Sequence, residues 1–209
     1  MTFKKRQVFK MKTKLPLIII LIGLLLLGVG VWQYVQTKVK SNTALEQAKE
    51  IISQKQPVAA EKNKKINNST PKPTPPATGD TVGILKIPKI NAELAIVEGT
   101  DPDDLEKGVG HYKGSYFPGE KGQIVLSGHR DTVFRKLGVL KIGNQLTLQM
   151  PYGNYTYVIT HTKIVKSNDK SIITLQKQKE ELVLTTCYPF HYVGNAPKRY
   201  IIYAKLINS

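Results

Sequence analysis

Cysteine is almost absent from this chain. The only thiol in 209 residues is Cys187, which excludes an internal disulfide and any zinc site built from several cysteines. A lone cysteine is either a buried side chain or a reactive thiol. Cys187 ends a short, apolar and β-branched run, Leu182 to Thr186, that is typical of a buried strand. Its position at a strand end favours a reactive thiol.

Acidic residues are also scarce. The chain has 15 Asp and Glu against 31 Lys and Arg, a net charge of +16. It contains no helix-turn-helix, zinc-finger or RNA-binding pattern, so we predict no nucleic-acid partner. Calcium needs several oxygen ligands, whereas the loop over residues 108–121 offers one carboxylate, Glu120. We therefore predict neither a metal nor a cofactor.

The N-terminal region has the pattern of a membrane anchor. Residues 1–14 carry six basic and no acidic groups, and an uncharged apolar run follows, with Trp32 and Tyr34 at its far edge. At about 1.5 Å per residue this run can cross a bilayer core. Basic residues before the span favour a cytoplasmic N-terminus. We predict a cytoplasmic tail (1–14), a single-pass signal-anchor (15–35) and an extracellular remainder; a cleaved signal peptide is the alternative.

Residues 36–80 have the composition of a linker. The first part is polar with scattered Ala, Leu and Ile, and the part from residue 57 is rich in Lys, Asn, Pro and Thr. So little apolar surface cannot offset the entropy of ordering the chain. We predict a flexible extracellular linker that ends where a catalytic domain begins, at residues 81–209.

The domain from Thr81 onward is predicted to be mainly β, with short helices. Many short apolar or alternating runs are separated by turn signals, for example a hairpin joined at residues 151–153. A helix start is expected at residues 101–107, and a short helical piece capped by Asp131 at residues 133–137. Closure of such strands into a barrel would remove exposed edges.

Three strand ends carry the chemistry. The run 123–129 ends on His129, the run 182–187 ends on Cys187, and the run 199–204 begins on Arg199. We expect these ends to meet in one active site. His129 is preferred to the other three histidines because it ends its own strand after a glycine. Those other histidines are His111, His161 and His191.

The motifs carrying these residues are similar to those of the sortases, the cysteine transpeptidases of Gram-positive cell surfaces. Ser127–Thr132 reads SGHRDT, Leu184–Phe190 reads LTTCYPF and Arg199–Ala204 reads RYIIYA, and the resemblance extends over residues 83–206. It is strongest to the class D branch; Val183 departs from it, where the family often has threonine. The resemblance implies a closed eight-stranded sortase β-barrel.

The resemblance also implies a reaction. Cys187 would attack an LPxT-type sorting signal after its Thr, with LPxTA or LPNTA expected from class D. His129 would act as acid and base, and Arg199 would stabilise the oxyanion. An amine of a lipid-linked peptidoglycan precursor would then receive the surface protein. Substrate contacts are expected from seven residues: Val125, Ile172, Ile173, Thr185, Thr186, His191 and Ile201.

Other functions stay open at this point. A sortase of another class would prefer LPxTG or LAxTG, although the inhibitory Asp-Pro-aromatic lid of pilin-polymerising sortases has no counterpart here. An L,D-transpeptidase usually has its cysteine close after its histidine, whereas here 58 residues separate His129 from Cys187. A catalytically inert, membrane-tethered binding module is the alternative outside enzymes.

Overall fold

The computed structural model describes residues 3–55, 75–192 and 194–208. The chain divides into two compact units, residues 1–39 and 40–209. The predicted tether from residue 57 to residue 74 lies outside the described residues. The elements, in chain order, are α1 (Phe3–Lys55), β1 (Thr81–Ile87), β2 (Ala92–Glu98), α2 (Pro102–Lys107), β3 (Val109–His111), β4 (Gln123–Ser127), β5 (Gln145–Met150), β6 (Gly153–Lys166), β7 (Glu181–Tyr188) and β8 (Lys198–Asn208).

The first unit is helical. It belongs to α1, whose large apolar side chains between Leu15 and Val35 are exposed. The segment Lys14–Gln54 is long and apolar enough to cross a membrane, and an unbroken helix satisfies its own backbone hydrogen bonds inside lipid. This segment is a candidate membrane anchor. The orientation stays a prediction.

The eight strands form a closed barrel, as the sequence predicted. Neighbours follow the order β1-β2-β3-β4-β7-β8-β6-β5, and β5 pairs with β1 to close the ring. Two pairs are parallel, β2 with β3 and β4 with β7, and the others are antiparallel. The predicted helix start is α2, and the predicted hairpin is β5 with β6.

The barrel interior is one apolar core. Buried Leu, Ile and Val side chains from all eight strands meet there with Phe134 and Tyr157. Tyr157 is the largest of these side chains, and its hydroxyl donates to Glu180 Oε1 at 2.5 Å. Burial raises the pKa of Tyr157 above its ordinary value. The phenol therefore stays neutral and fixes Glu180 at the rim of the barrel.

The second half of α1 differs from the predicted linker. Ala44, Ala48 and Ile52 lie one helical turn apart on one face and are buried against Ile84 and Ala95 of β1 and β2. Lys40 Nζ forms a hydrogen-bonded ion pair with Glu106 Oε2 at 2.6 Å. This hydrogen bond raises the pKa of Lys40. Residues 40–54 thus belong to the second compact unit in the structure, although the predicted domain boundary lies at residue 81.

Candidate active site

The strands β4, β7 and β8 lie side by side and bring the three predicted ends together. In the antiparallel pair β7–β8, Cys187 is directly opposite Arg199. In the parallel pair β4–β7, Ser127 is opposite Thr185, and the Gly128 N–H donates to the Thr185 carbonyl at 3.1 Å. Because β4 and β7 run parallel, His129 and Cys187 follow this pair at the same end of the sheet.

Strand alternation sorts the side chains of β7 between two faces. Leu182, Leu184 and Thr186 are buried on the face that lines the barrel interior. Successive side chains point to opposite faces, so Cys187 projects outward. Arg199, directly opposite Cys187, projects to the same outer face. His129 comes two residues after the end of the neighbouring strand β4. These three residues are called the predicted catalytic row below.

A glycine shapes the turn that follows β4. A Cβ on Gly128 would lie 2.6 Å from the ring of Phe134, so only glycine allows this ring to pack against the strand end. The carbonyl of His129 accepts hydrogen bonds from the N–H groups of Thr132 and Phe134. These bonds hold the backbone of His129 at the rim while its side chain stays exposed.

Arg199 is held by the loop that precedes it. Its Nη1 donates to the carbonyls of Ala196 at 3.2 Å and Lys198 at 3.0 Å. The side chain is half-buried, and a guanidinium has further N–H donors beyond the one used here. Arg199 can therefore hold the β7–β8 connection and still donate to an oxyanion.

The thiol of Cys187 is free and half-buried. Within the described residues, neither this thiol nor the ring of His129 makes a hydrogen bond, so both can contact a substrate. The neighbouring Thr186 is different: its hydroxyl is buried and donates to the Gly128 carbonyl at 2.7 Å. This bond ties the end of β7 to the end of β4 and leaves Thr186 no hydroxyl for the substrate.

An apolar cluster lies on the same outer face, below the row. Three predicted substrate contacts, Val125, Ile172 and Ile201, are buried in it together with Val165 and Val183. They are packed under the partly buried side chains of Tyr112, Ile173 and Tyr203. The side chains of Ile173 and Thr185 are partly exposed there, whereas His191 is exposed on the loop after β7, outside this cluster.

The chain matches known proteins over most of its length. The sortase domain family matches residues 85–207. Sortase D of Bacillus subtilis (strain 168) is 57% identical over 197 residues, which cover 94% of this chain and 100% of that relative. The chain belongs to the sortase family.

Solved sortase structures share the fold. The catalytic domain of Bacillus anthracis SrtD is 42% identical and has a TM-score of 0.55, covering 68% of this chain and 97% of that chain. The sortase D5 transpeptidase of Clostridium perfringens has a TM-score of 0.64 at 24% identity, covering 81% of this chain and 99% of that one. Membership in this family implies cysteine transpeptidase chemistry, and sortases act on sorting-signal surface proteins and peptidoglycan precursors.

Two other histidines of this sortase, His111 and His161, have structural surroundings. His111 is buried; its Nδ1 lies 2.6 Å from Glu98 Oε2, and its ring stacks on Phe117. The ring of His161 stacks on Tyr203 on the outer surface. The rings of His111 and His161 are therefore both held by contacts within the domain. Among the described residues, no group of three or more His, Cys, Asp or Glu could hold a metal ion.

Asp131 does not cap a helix in this sortase. The residues after it form turns, and the short 3₁₀ helix at Leu137–Val139 is preceded by Lys136. The carboxylate of Asp131 instead lies 3.5 Å from Arg130 Nε, and its backbone carbonyl accepts from Arg135 Nε at 3.0 Å. The predicted cap was therefore wrong, because no regular helix follows.

Gln123 is a site residue that the sequence did not indicate. It is buried at the start of β4, and its Nε2 donates to the Ile172 carbonyl. Its Oε1 accepts from the N–H groups of Thr174 and Leu175 at 2.9 and 3.2 Å. One side chain thus fastens the loop between β6 and β7, whose Ile172 is buried in the outer apolar cluster. Only the position of the loop backbone reveals this role.

Proposed function

We propose that this protein is a membrane-anchored, class D-type sortase in which Cys187, His129 and Arg199 carry out the transpeptidation. The observation that supports this best is the register of β7 and β8, which sets Cys187 directly opposite Arg199, at the sheet end where His129 follows β4. The outer apolar cluster of Val125, Ile172 and Ile201 lies on the same face as Cys187. We propose that the Leu and Pro side chains of an LPxT-type sorting signal bind over this cluster, with LPxTA or LPNTA preferred.

The first half of the reaction forms a thioester. The Cys187 thiolate attacks the Thr carbonyl carbon, an S–C bond forms, and the carbonyl electrons move to oxygen. Arg199 donates to this oxyanion. When the oxyanion collapses, the C–N bond after Thr breaks and His129 gives its proton to the departing amine. The surface protein is then joined to Cys187.

The second half transfers the acyl group. An amine of the peptidoglycan precursor attacks the thioester carbon and loses a proton to His129, and the S–C bond breaks to return the thiolate. Water in place of the amine gives hydrolysis. The apolar helix α1 would keep the enzyme near both substrates, which we expect at the outer face of the membrane with the N-terminus in the cytoplasm.

The test uses the full chain in detergent micelles with fluorogenic LPNTA and LPNTG peptides. We expect cleavage after Thr, faster for LPNTA, and loss of activity by about 10³-fold or more in Cys187→Ala and His129→Ala. Thr160→Ala, a change on β6 away from the row, serves as the control. Cleavage that survives Cys187→Ala would refute the mechanism, and faster cleavage of LPNTG would refute the motif alone.

A further inference from the structure

A positively charged depression adjoins the predicted catalytic row. It has a volume of about 400 Å³ and is lined by two arginines, one aspartate and three consecutive loop residues: Arg130, Asp131, Arg135, Phe190, His191 and Tyr192. Arg130 follows His129 directly, and Phe190 lies three residues after Cys187. At about 3.8 Å per residue, these two wall residues lie within about 11 Å of the predicted acid–base and nucleophile.

Arg130 brings a buried charge to this depression. Its side chain is 7% exposed, and Nη2 donates to the Gly194 carbonyl at 2.9 Å. Its Nε and Nη1 are buried without a hydrogen-bond acceptor among the described residues. The carboxylate of Asp131 lies 3.5 Å from Nε, but 68% of that side chain is exposed. Solvent screens such a carboxylate, so the buried guanidinium charge is only partly compensated.

Arg135 brings an accessible charge. Its side chain is exposed, and its Nε donates to the Asp131 carbonyl. Within the described residues, its two terminal nitrogens make no hydrogen bond or ion pair. The planar end of arginine binds a carboxylate or phosphate through two parallel hydrogen bonds. The imidazole of His191 is exposed on the same wall.

We propose that this depression binds an anionic group of the acceptor substrate, and that this group is a carboxylate close to the attacking amine. The proposal rests on the proposed function, because it specifies the second substrate of that same site. Arg135 binds the carboxylate, Arg130 adds positive charge behind it, and Asp131 opposes it. A carboxylate fixed here positions the neighbouring amine toward a thioester on Cys187, so the acceptor is an amino acid or peptide amine rather than a simple alkylamine.

Two acceptors of matched length test the proposal. With the full chain in micelles and a cleavable LPNTA peptide, transfer is measured to 2,6-diaminopimelate and to its decarboxylated counterpart, 1,5-diaminopentane. We expect a lower KM for diaminopimelate. Arg135→Gln should raise this KM about tenfold, because a charge-assisted hydrogen-bond pair is lost, without raising the KM for diaminopentane. Arg135 is the variant of choice because its exposed side chain makes misfolding of the variant less of a concern than at buried Arg130.

Two further variants test how the charge around the depression changes the KM for each acceptor. Asp131→Asn removes the opposing carboxylate and should lower the KM for diaminopimelate. Lys136→Gln removes one positive charge from a neighbouring exposed position outside the depression and should change neither KM. Equal effects of Arg135→Gln on both acceptors, or equal effects of Arg135→Gln and Lys136→Gln, would overturn the subsite.

The source of the anion is tested by competition. Inorganic pyrophosphate that competes with transfer to both diamines, with no preference for diaminopimelate, would assign the depression to the phosphates of a lipid carrier and overturn the carboxylate. Failure of the unmodified protein to cleave any LPxT-type peptide is a different result, because it refutes the proposed function itself. Cleavage with no discrimination between the two acceptors refutes only the subsite.

Discussion

The two loops on either side of β7 are held in different ways. The β6–β7 loop (residues 167–180) is fastened by the neutral side chain of Gln123, which pairs three of its backbone groups. The β7–β8 loop (residues 189–197) is held by charged side chains, with Arg130 bound to Gly194 and Arg199 bound to Ala196. The amide of Gln123 uses both its oxygen and its nitrogen in hydrogen bonds to the first loop. The guanidinium groups of Arg130 and Arg199, which hold the second loop, have further N–H donors.

This difference suits the two ligands that we propose. A sorting signal with Leu and Pro needs a shaped apolar surface, and fixed backbone groups preserve such a shape. An acceptor that enters after acylation and leaves as product is suited by charged groups that can exchange one partner for another. The four predictions below are ordered by the size of the expected effect.

The largest effect is expected for Arg199, which follows the β7–β8 loop and belongs to the predicted catalytic row. Arg199→Ala should lower kcat/KM for peptide cleavage by about 10²–10³-fold, because an oxyanion donor is lost. Arg199→Lys should restore little, since an ammonium cannot reproduce the planar fork. Steady-state kinetics with the LPNTA peptide measure both. Lys198→Ala, a neighbouring exposed charge, is the control; an equal loss in it would deny Arg199 a specific role.

The next prediction concerns the contact between α1 and the barrel, which lies away from both loops. Ala48→Asp places an unpaired carboxylate where α1 packs on the barrel and should destabilise the fold by about 3 kcal/mol or lower Tm by about 10 °C. Asn42→Asp adds the same charge on an exposed part of the helix and should change Tm little. Thermal unfolding followed by circular dichroism compares the two. Matching Tm values would show that α1 does not pack on β1 and β2 in solution.

Loosening only the β6–β7 loop should separate the two substrates. Gln123→Ala leaves three backbone groups of the loop without their partner and should cost about 1–3 kcal/mol of stability. The KM for the sorting peptide should rise, whereas the KM for the acceptor should not. Gln145→Ala, an exposed glutamine on β5, is the control for urea unfolding and kinetics. A rise in the acceptor KM alone would reverse the assignment of the loops.

The smallest effect lies at the start of the β6–β7 loop. The Ser171 hydroxyl donates to Asp169 Oδ1 at 2.6 Å and, with the Ser171 N–H, lowers the pKa of Asp169. A lowered pKa contributes stability above the unfolded-state pKa, and this contribution is lost as pH falls through the folded-state value. Ser171→Ala should therefore raise the pKa of Asp169 in a carboxyl NMR titration, whereas Ser167→Ala should not.

The sequence predicted the parts of the molecule that follow strand periodicity. Three apolar runs ending or beginning on His129, Cys187 and Arg199 were enough to expect a common site, because adjacent strands align their ends. The closed barrel and the sortase family were predicted from these runs and their motifs, and both are confirmed. The catalytic roles of these three residues stay a prediction, which the peptide and variant assays decide.

The missed features depend on contacts between distant segments. Gln123 is one polar residue at the start of an apolar strand, and its role needs the backbone of a loop some fifty residues later. The motif around His129 does not indicate that Arg130 is buried; in the structure its guanidinium donates to the Gly194 carbonyl of the β7–β8 loop. The docking face of α1 had a visible signal, Ala44, Ala48 and Ile52 at four-residue spacing, but the polar residues around them favoured a linker.

β8 completes both the barrel and the surroundings of the thiol. This strand lies between β6 and β7, and it pairs with both along most of its length. Until residues 198–208 insert, the ring is open, Cys187 has no arginine opposite it, and the outer apolar cluster lacks Ile201. A partly folded chain would therefore expose its thiol without the arginine that we propose directs it.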